Sequence, residues 1–550
     1  MSPAPRMKWC GWGEPDRRLQ IPDSARAVLH ERLGPADPTP PVELADVKVK
    51  RRRSVPAAVL EAAGSDSAST EREDRIANAY GRGYVDLVRL RAGQLETAPD
   101  AVITPADADG VVAVIEACGR EGVAVVPFGG GTSVVGGVEA LRGDHRAVVS
   151  LDLRRMCGVR VDRASLTAEL GPGLRGPQAE SALGGHGLTL GHFPQSFEYA
   201  TIGGFAATRS AGQASCGYGR FDEVVTSLRM ATPAGELSTL RTPHTAAGPA
   251  LRELALGSEG VLGVITSVTV RVRPAPEASR YEAWIAPSFE AGAEIFRELA
   301  QAGAMPDVLR LSDETETEVS LSLAGGGAGH KALGAYLGLR GRRDGCIVIA
   351  GWEGEPLAVE RRRAVGVTTL RRGGAISLGT RGGESWKRGR YEGPYLRDEL
   401  MDLGYLVETL ETSQTWSRLS QTYEAVRGAL SASLEAQGTP GMVWCHISHV
   451  YRDGASLYFT FVAPGRRGEE IEQWRAAKAA ACDAIVATGA TITHHHAVGR
   501  DHAPYMEAEV GAVGLEALRA VKDRLDPAGI MNPGKLLEGS DPKGTGRPAT

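Results

Sequence analysis

Residues 123–138, VAVVPFGGGTSVVGGV, constrain the chain more than any other stretch, because an apolar run ends abruptly in three glycines followed by Thr132 and Ser133. Val123 to Phe128 is rich in β-branched residues and spells a buried strand. Gly129, Gly130 and Gly131 permit positive φ and leave backbone N–H groups open to a bulky anion, and the two hydroxyls add donors. A strand that runs into such a turn can cradle a diphosphate. No Gly-Lys-Ser/Thr follows, so the turn is not a P-loop, and the G-x-G-x-x-G of a nicotinamide-binding unit is missing.

The 550 residues leave room for two or three domains with ample core. A composition of 42% hydrophobic and 23% charged residues is that of a globular chain, and 70 glycines imply many tight turns. The net charge of -5 argues against a nucleic-acid binder. Seven cysteines without C-x-x-C spacing imply reduced thiols and a cytoplasmic setting. No apolar signal region opens the chain and no window approaches 18 apolar residues, so neither export nor a membrane span is expected. Peripheral contact with the inner face of a membrane stays open.

The expected class is α+β. Residues 1–97 read as an N-terminal helical region, with the basic run at 48–53 as a solvated surface. Residues 98–275 read as an α+β unit. There Thr104 is expected as N-cap and Pro105 as the first helical residue, of a helix turning Val111, Val112, Ile115 and Cys118 inward. Residues 276–470 alternate strands and helices, and MVWCHISHVY with ASLYFTFVA predicts a hairpin around ArgAspGlyAla. Residues 471–537 carry two helices flanking THHHAVG, and 538–550 read as a disordered tail. His494, His495 and His496 follow an extended ThrIleThr, so two of them are expected to share a strand face. Imidazole suits removing and returning a proton near neutrality, and no further ligand at metal-site spacing is evident.

Three loops together, PFGGGTS at 127–133, GHFPQSFEYATIGG at 191–204 and GSEGVLGVIT at 257–266, resemble in kind and order the loops of flavoproteins with a vanillyl-alcohol-oxidase-type, or PCMH-type, FAD domain. Within that family the likeness is greatest to its ether-lipid-forming branch, the alkylglycerone-phosphate synthases. It is carried by MKWCGWG (7–13), LRLSD (309–313), YLRDE (395–399), ETSQTW (411–416), VYRDGASLYFTF (450–461) and THHHAVG (493–499).

The resemblance implies a two-subdomain FAD-binding domain at 98–275, a cap or substrate domain at 276–470 with an antiparallel sheet flanked by helices, and a segment at 471–537 returning to the flavin. It implies that Pro127, Gly129, Gly130, Gly131, Thr132 and Ser133 hold the FAD diphosphate. Pro194, Gln195, Ser196, Thr201, Ile202 and Gly203 would line the flavin, and Glu259, Gly260, Val261 and Ile265 the adenine half. Relatives that attach FAD covalently often carry a His in the first Gly-rich loop; this loop has none, which implies non-covalent FAD.

The family chemistry is redox-neutral: acyl-dihydroxyacetone phosphate exchanges its fatty acid for a fatty alcohol, a proton leaving C1 on the way. By resemblance Tyr458 is the acid for the departing carboxylate, and His494, His495 and His496 handle protons. Arg397 would bind the substrate's anionic end, and Arg310 either contacts substrate or braces the pocket. Lipid-like substrates, peripheral membrane contact and a homodimer are implied with them. The shared FAD loops and the end of the chain support an alternative, an FAD-dependent oxidase or dehydrogenase of a 2-hydroxy acid or alcohol, and a second departure bears on phosphate recognition. MNPGKLL at 531–537 is a form common in such dehydrogenases, and GRDHAPYM replaces a more basic stretch after the histidines.

Overall fold

The structure, a computed structural model, describes residues 7–62, 64, 66–323 and 328–537; the tail expected at 538–550 lies outside the described residues. The Gly-rich turn directly follows the expected Val123–Phe128 strand. The Val123–Phe128 strand pairs in parallel with Ala147–Asp152, which pairs in parallel with Ala101–Ile103, and Ala68–Ser69 closes this four-stranded sheet antiparallel. Between two of these strands runs the Ala108–Glu121 helix, burying Val111, Val114, Ile115 and Cys118. Its cap differs from expectation. Asp107 is the N-cap, its carboxylate accepting from Gly110 N–H at 2.9 Å, and Thr104 lies outside the helix. An Asp one residue before the first turn competes better for the free amides than a Thr three residues further out.

A second, five-stranded antiparallel sheet contains the hairpin Val225–Thr232/Gly235–Ser238 and the strand Val264–Arg271. The third sheet has seven antiparallel strands. In spatial order these are Ile376–Gly379, Ala278–Ala286, Cys346–Gly354, Val308–Ser312, Met442–Ile447, Gly454–Pro464 and Tyr405–Thr415. Helices Phe289–Gln301, Pro356–Arg372, Trp416–Ala436 and Glu470–Ala487 bury against one core with it. That face of the sheet is apolar (Leu309, Leu311, Cys445, Ile447, Leu457, Phe459, Leu410), so the alternate residues of the same strands face the other way.

Residues 7–97 add strands to their helices: Lys48–Val49 pairs with Gln94–Leu95, and Ala68–Ser69 joins the first sheet. At the other end, MNPGKLL latches onto the Gly-loop strand. Val125 N–H donates to the Ile530 carbonyl and Asn532 N–H to the Val125 carbonyl, both at 2.8 Å. Among the described residues no helix is long and apolar enough to cross a membrane.

Candidate active site

The polar face of the seven-stranded sheet builds the site by register. Tyr458 pairs directly with Glu411 on one side and His446 on the other, and His446 pairs with Ser312, two residues from Arg310. Residues directly opposite across a ladder share a face, so Glu411, Tyr458, His446 and Arg310 form one row. The His446 ring stacks on Tyr458 with centroids 4.6 Å apart. Arg310 ion-pairs with Glu316 at 2.8 Å, and His446 Nδ1 lies 3.0 Å from both partners. Of the two roles implied for Arg310, the bracing one is the contact seen.

The histidine run is not a strand. Residues 490–500 form an irregular loop wound around Glu411. The Glu411 carboxylate accepts the backbone N–H groups of His494 (2.6 Å), His495 (3.0 Å) and His496 (2.8 Å), and the Thr493 hydroxyl (2.7 Å). An extended strand points successive amides to opposite sides, so three that converge on one carboxylate require a nest-like turn. Burial opposes the charged form of Glu411, but the facing imidazoles and the Thr493 hydroxyl outweigh it and hold the carboxyl well below its ordinary range.

The rings crowd above this anchor. Tyr458 stacks on His495 at 5.9 Å and meets His496 edge-on at 5.3 Å. His494 Nε2 is 2.6 Å from the Tyr451 hydroxyl, and His494 Nδ1 is 2.9 Å from His495 Nδ1. Burial, first, lowers all three imidazoles from their usual value, His496 to about 3, with neighbouring imidazoles adding to the effect for His494 and His496 and Arg220 for His494 and His495. Burial pushes Tyr458 up to about 12, so its phenol stays protonated at neutral pH. The row is therefore a set of neutral donors and acceptors over one anchoring carboxylate.

A fourth imidazole, His449, joins them, the ring nitrogens of His449, His494 and His495 lying within 4.8 Å of one another. Yet the 2.9 Å between the two Nδ1 atoms is a hydrogen-bond length, short of the roughly 3.3 Å between neighbouring nitrogens on a tetrahedral zinc. The His449 and His494 rings stack nearly parallel, at 26°, which sends their in-plane lone pairs side by side rather than to a common point. The geometry is that of shared protons.

The Gly-rich loop meets the 199–201 segment with no room for side chains. A Cβ on Gly129 would lie 2.3 Å from Thr201 Oγ1, one on Gly130 would lie 2.1 Å from the Tyr199 carbonyl oxygen, and Gly131 has φ +67°. Arg82, Arg154 and Arg175, with Asn78 and Gln178, wall a cleft beside Gly129–Gly131 and Thr201. Arg82 spends its guanidinium on the Gly11, Gly81 and Lys8 carbonyls and Arg154 pairs with Asp152, so the bare Gly-loop amides and Arg175 are the groups that suit a diphosphate, and the residues present fit FAD at this loop.

The other cofactor-loop residues fall as follows. Gly260 packs on Pro127, where a Cβ would come within 2.8 Å. Ser133 Oγ accepts from Gly137 N–H at 3.0 Å, spending that hydroxyl's acceptor inside the loop, while Thr132 is half-buried. Gln195 accepts from Gln213 at 3.1 Å, the Pro194–Ser196 turn leads into Thr201, and Thr201 caps the 202–207 helix. Gly203 packs on Pro172. Ile202 and Ile265 point into the second sheet's core and Val261 into another, so these three can offer a ligand only their backbones. Glu259 accepts Val498 and Gly499 N–H, each at 2.8 Å, which ties the third loop to the end of the histidine run. Burial raises it to about 7.

Arg397 lies on the Gly-loop side. Its Nη1 donates to the Arg82 carbonyl (2.7 Å), and Arg82 N–H donates to the Ser133 carbonyl (2.6 Å). Its Nε and Nη2 are buried without a hydrogen-bond partner, Nη2 standing 3.8 Å from Asp398. A fork with two donors to spare is suited to an incoming anion.

Sequence reasoning passed over Glu411, His446, Glu316, His449 and Tyr451, and the three cleft arginines. The signal was faint: one of two acidic residues, Glu408 and Glu411, in the Tyr405–Thr415 strand, and the alternation of HISHVY.

Sequence comparison agrees with this architecture. The FAD binding domain family matches residues 99–241, and the family of FAD linked oxidases, C-terminal domain, matches residues 275–536. The chain is an FAD-dependent flavoenzyme. Relatives narrow this. The alkyldihydroxyacetonephosphate synthase of Dictyostelium discoideum is 31% identical over 513 residues, 91% of this chain and 84% of its own. That of Trypanosoma brucei brucei is 34% identical over 474 residues, 84% and 77%. A solved alkyldihydroxyacetonephosphate synthase superposes with TM-score 0.84 at 28% identity, over 96% of this chain and 99% of that one. p-Cresol methylhydroxylase shares the fold, with TM-score 0.65 at 14% identity over 87% of this chain and 95% of its own. The chain belongs to the alkyldihydroxyacetonephosphate synthase family.

Proposed function

We propose that this enzyme forms an alkyl ether by exchanging the acyl group of acyl-dihydroxyacetone phosphate for a fatty alcohol, without net oxidation, using non-covalently bound FAD. The observation that carries the reading is the row Glu411–Tyr458–His446 under the histidine loop. It offers a protonated phenol and neutral imidazoles together, as removal of a carboxylate and transfer of a C–H proton require.

FAD, when bound, would supply an electron-accepting ring, and Gly129–Ser133 with Arg175 would hold its diphosphate. Tyr458 gives its proton to the departing carboxylate oxygen and recovers one from the hydroxyl of the incoming alcohol. His495, stacked on Tyr458, takes the C1 proton and later returns one, and His496 shapes the other side of the phenol. Arg397 receives the substrate's phosphate on its unpaired Nε and Nη2. Glu411 holds the loop and stays ionised throughout.

Such substrates reside in bilayers. Peripheral contact with the inner face of a membrane, by a cytoplasmic homodimer, fits the exposed Tyr336 and Leu339 at the end of the Ala328–Leu339 helix and the arginines at 340, 342 and 343 beyond it. The test is direct. FAD-loaded protein given palmitoyl-dihydroxyacetone phosphate and hexadecanol should yield the hexadecyl ether by mass, and no ether with FAD bound overturns the reading.

A further inference from the structure

Tyr451, His494 and His495 form a continuous hydrogen-bonded chain, with links of 2.6 and 2.9 Å, and every member can both donate and accept. Its inner end, His495, stacks on Tyr458. The outer end, Tyr451, is half-buried in the hairpin turn beside the exposed Arg452 and Asp453. Arg220 fixes the chain from the side: Nη1 donates to the His494 carbonyl at 3.0 Å, and its guanidinium lies beside the Tyr451 hydroxyl.

We propose that Tyr451 and His494 are a proton relay that carries the proton taken by His495 out of the buried site to the hairpin turn. This rests on the reaction proposed above. In the accepting arrangement His495 Nδ1–H donates to His494 Nδ1, His494 Nε2–H donates to Tyr451 Oη, and the Tyr451 O–H points outward. When a proton arrives at His495 Nε2, the Nδ1 proton passes to His494 Nδ1, the His494 Nε2 proton passes to Tyr451 Oη, and the proton of Tyr451 leaves to water. One proton enters and one departs, two hydrogen bonds reverse, and no group is left charged. The reverse shift returns a solvent proton to C1.

A buried cluster needs such a device. A proton lodged on one ring would be a cation among His449, His496 and the Arg220 guanidinium, with burial already disfavouring charge. The relay lets weakly basic imidazoles move a proton without storing it. Tyr451 is thus a positioning residue that acts through His494.

The test runs FAD-loaded wild type and Tyr451→Phe in D₂O with protiated acyl-dihydroxyacetone phosphate and hexadecanol, reading deuterium at C1 of the ether by mass spectrometry. Wild type should place solvent deuterium there in most turnovers. Tyr451→Phe breaks the outer link and should return the original hydrogen, with at least about a tenfold loss of deuterium per ether formed and KM within about twofold. Equal deuterium per ether overturns the relay. Flavin absorbance and melting report whether the variant is folded. If it has lost FAD, the wild-type proton inventory decides, since a rate that curves with deuterium fraction supports several protons moving together and a straight line overturns it. Ether with unchanged labelling defeats the relay alone, whereas no ether from wild type defeats the proposed reaction and the relay with it.

Discussion

Replacing Glu411 with Gln removes one charge and exchanges one acceptor oxygen for a donor. With the amide oxygen where Oε1 now stands, Thr493, His495 and His496 keep their acceptor, but the amide NH₂ then faces His494 N–H across 2.6 Å. Each retained bond falls from the charge-assisted range toward the neutral one, a loss of about 1 kcal/mol apiece, and the stranded His494 N–H costs about 1–3 kcal/mol more. Relief from burying a carboxylate offsets part of this. The net on loop closure is about 3 kcal/mol, roughly a 150-fold shift. Hydrogen–deuterium exchange of the 490–500 peptide should therefore lose about 100-fold in protection, and ether formation should fall at least about 100-fold. FAD content should hold, because the Gly-loop cleft touches none of these atoms. Protection and activity both within about threefold of wild type would refute the claim that Glu411 organises the histidine loop.

Other substitutions separate the parts of the site. Tyr458→Phe should lower kcat by about 10²–10⁴ with FAD binding intact, and because the wild-type phenol is raised to about 12, the wild-type rate should show no basic limb from it below about pH 10. Gly130→Ala drives a methyl group into the Tyr199 carbonyl, so the purified protein should be colourless. Arg397→Lys keeps charge but loses the fork, which should raise KM for the phosphate substrate about tenfold with less effect on kcat. Asp86 is raised to about 7, mainly by burial, with Glu139 and Asp501 nearby adding to it. A carboxyl with a folded value above its unfolded one favours the fold most below about pH 4, and that contribution is lost as pH rises toward about 7. Asp86→Asn should therefore raise unfolding free energy at pH 8 by an amount on the order of 2–4 kcal/mol, read by denaturant melts, and leave it nearly unchanged at pH 4.

The parts of the fold legible in the sequence are those set by short-range sterics. Gly129–Gly131 announce a turn that tolerates no side chain, and Thr201 and Tyr199 pack against it. The hairpin of 442–447 with 454–464 follows from alternation around ArgAspGlyAla. What stayed hidden depends on distant partners. The histidine run reads as a strand until Glu411, 83 residues earlier, gathers its amides. The row of Glu411, Tyr458 and His446 is a matter of register between strands far apart in sequence, and the two-residue strands at 48–49 and 68–69 are too short to show a period. Arg82, Arg154 and Arg175 read as ordinary surface charges because nothing local marks them as converging on one cleft.

The most direct test follows the flavin spectrum and the product in one anaerobic vessel, as FAD-loaded protein turns over palmitoyl-dihydroxyacetone phosphate with hexadecanol. A redox-neutral exchange predicts many ethers per flavin, with the oxidised absorbance restored when substrate is spent. A flavin that ignores this pair yet bleaches with lactate- or glycolate-like acids would contradict it, and would place this site among the hydroxy-acid dehydrogenases.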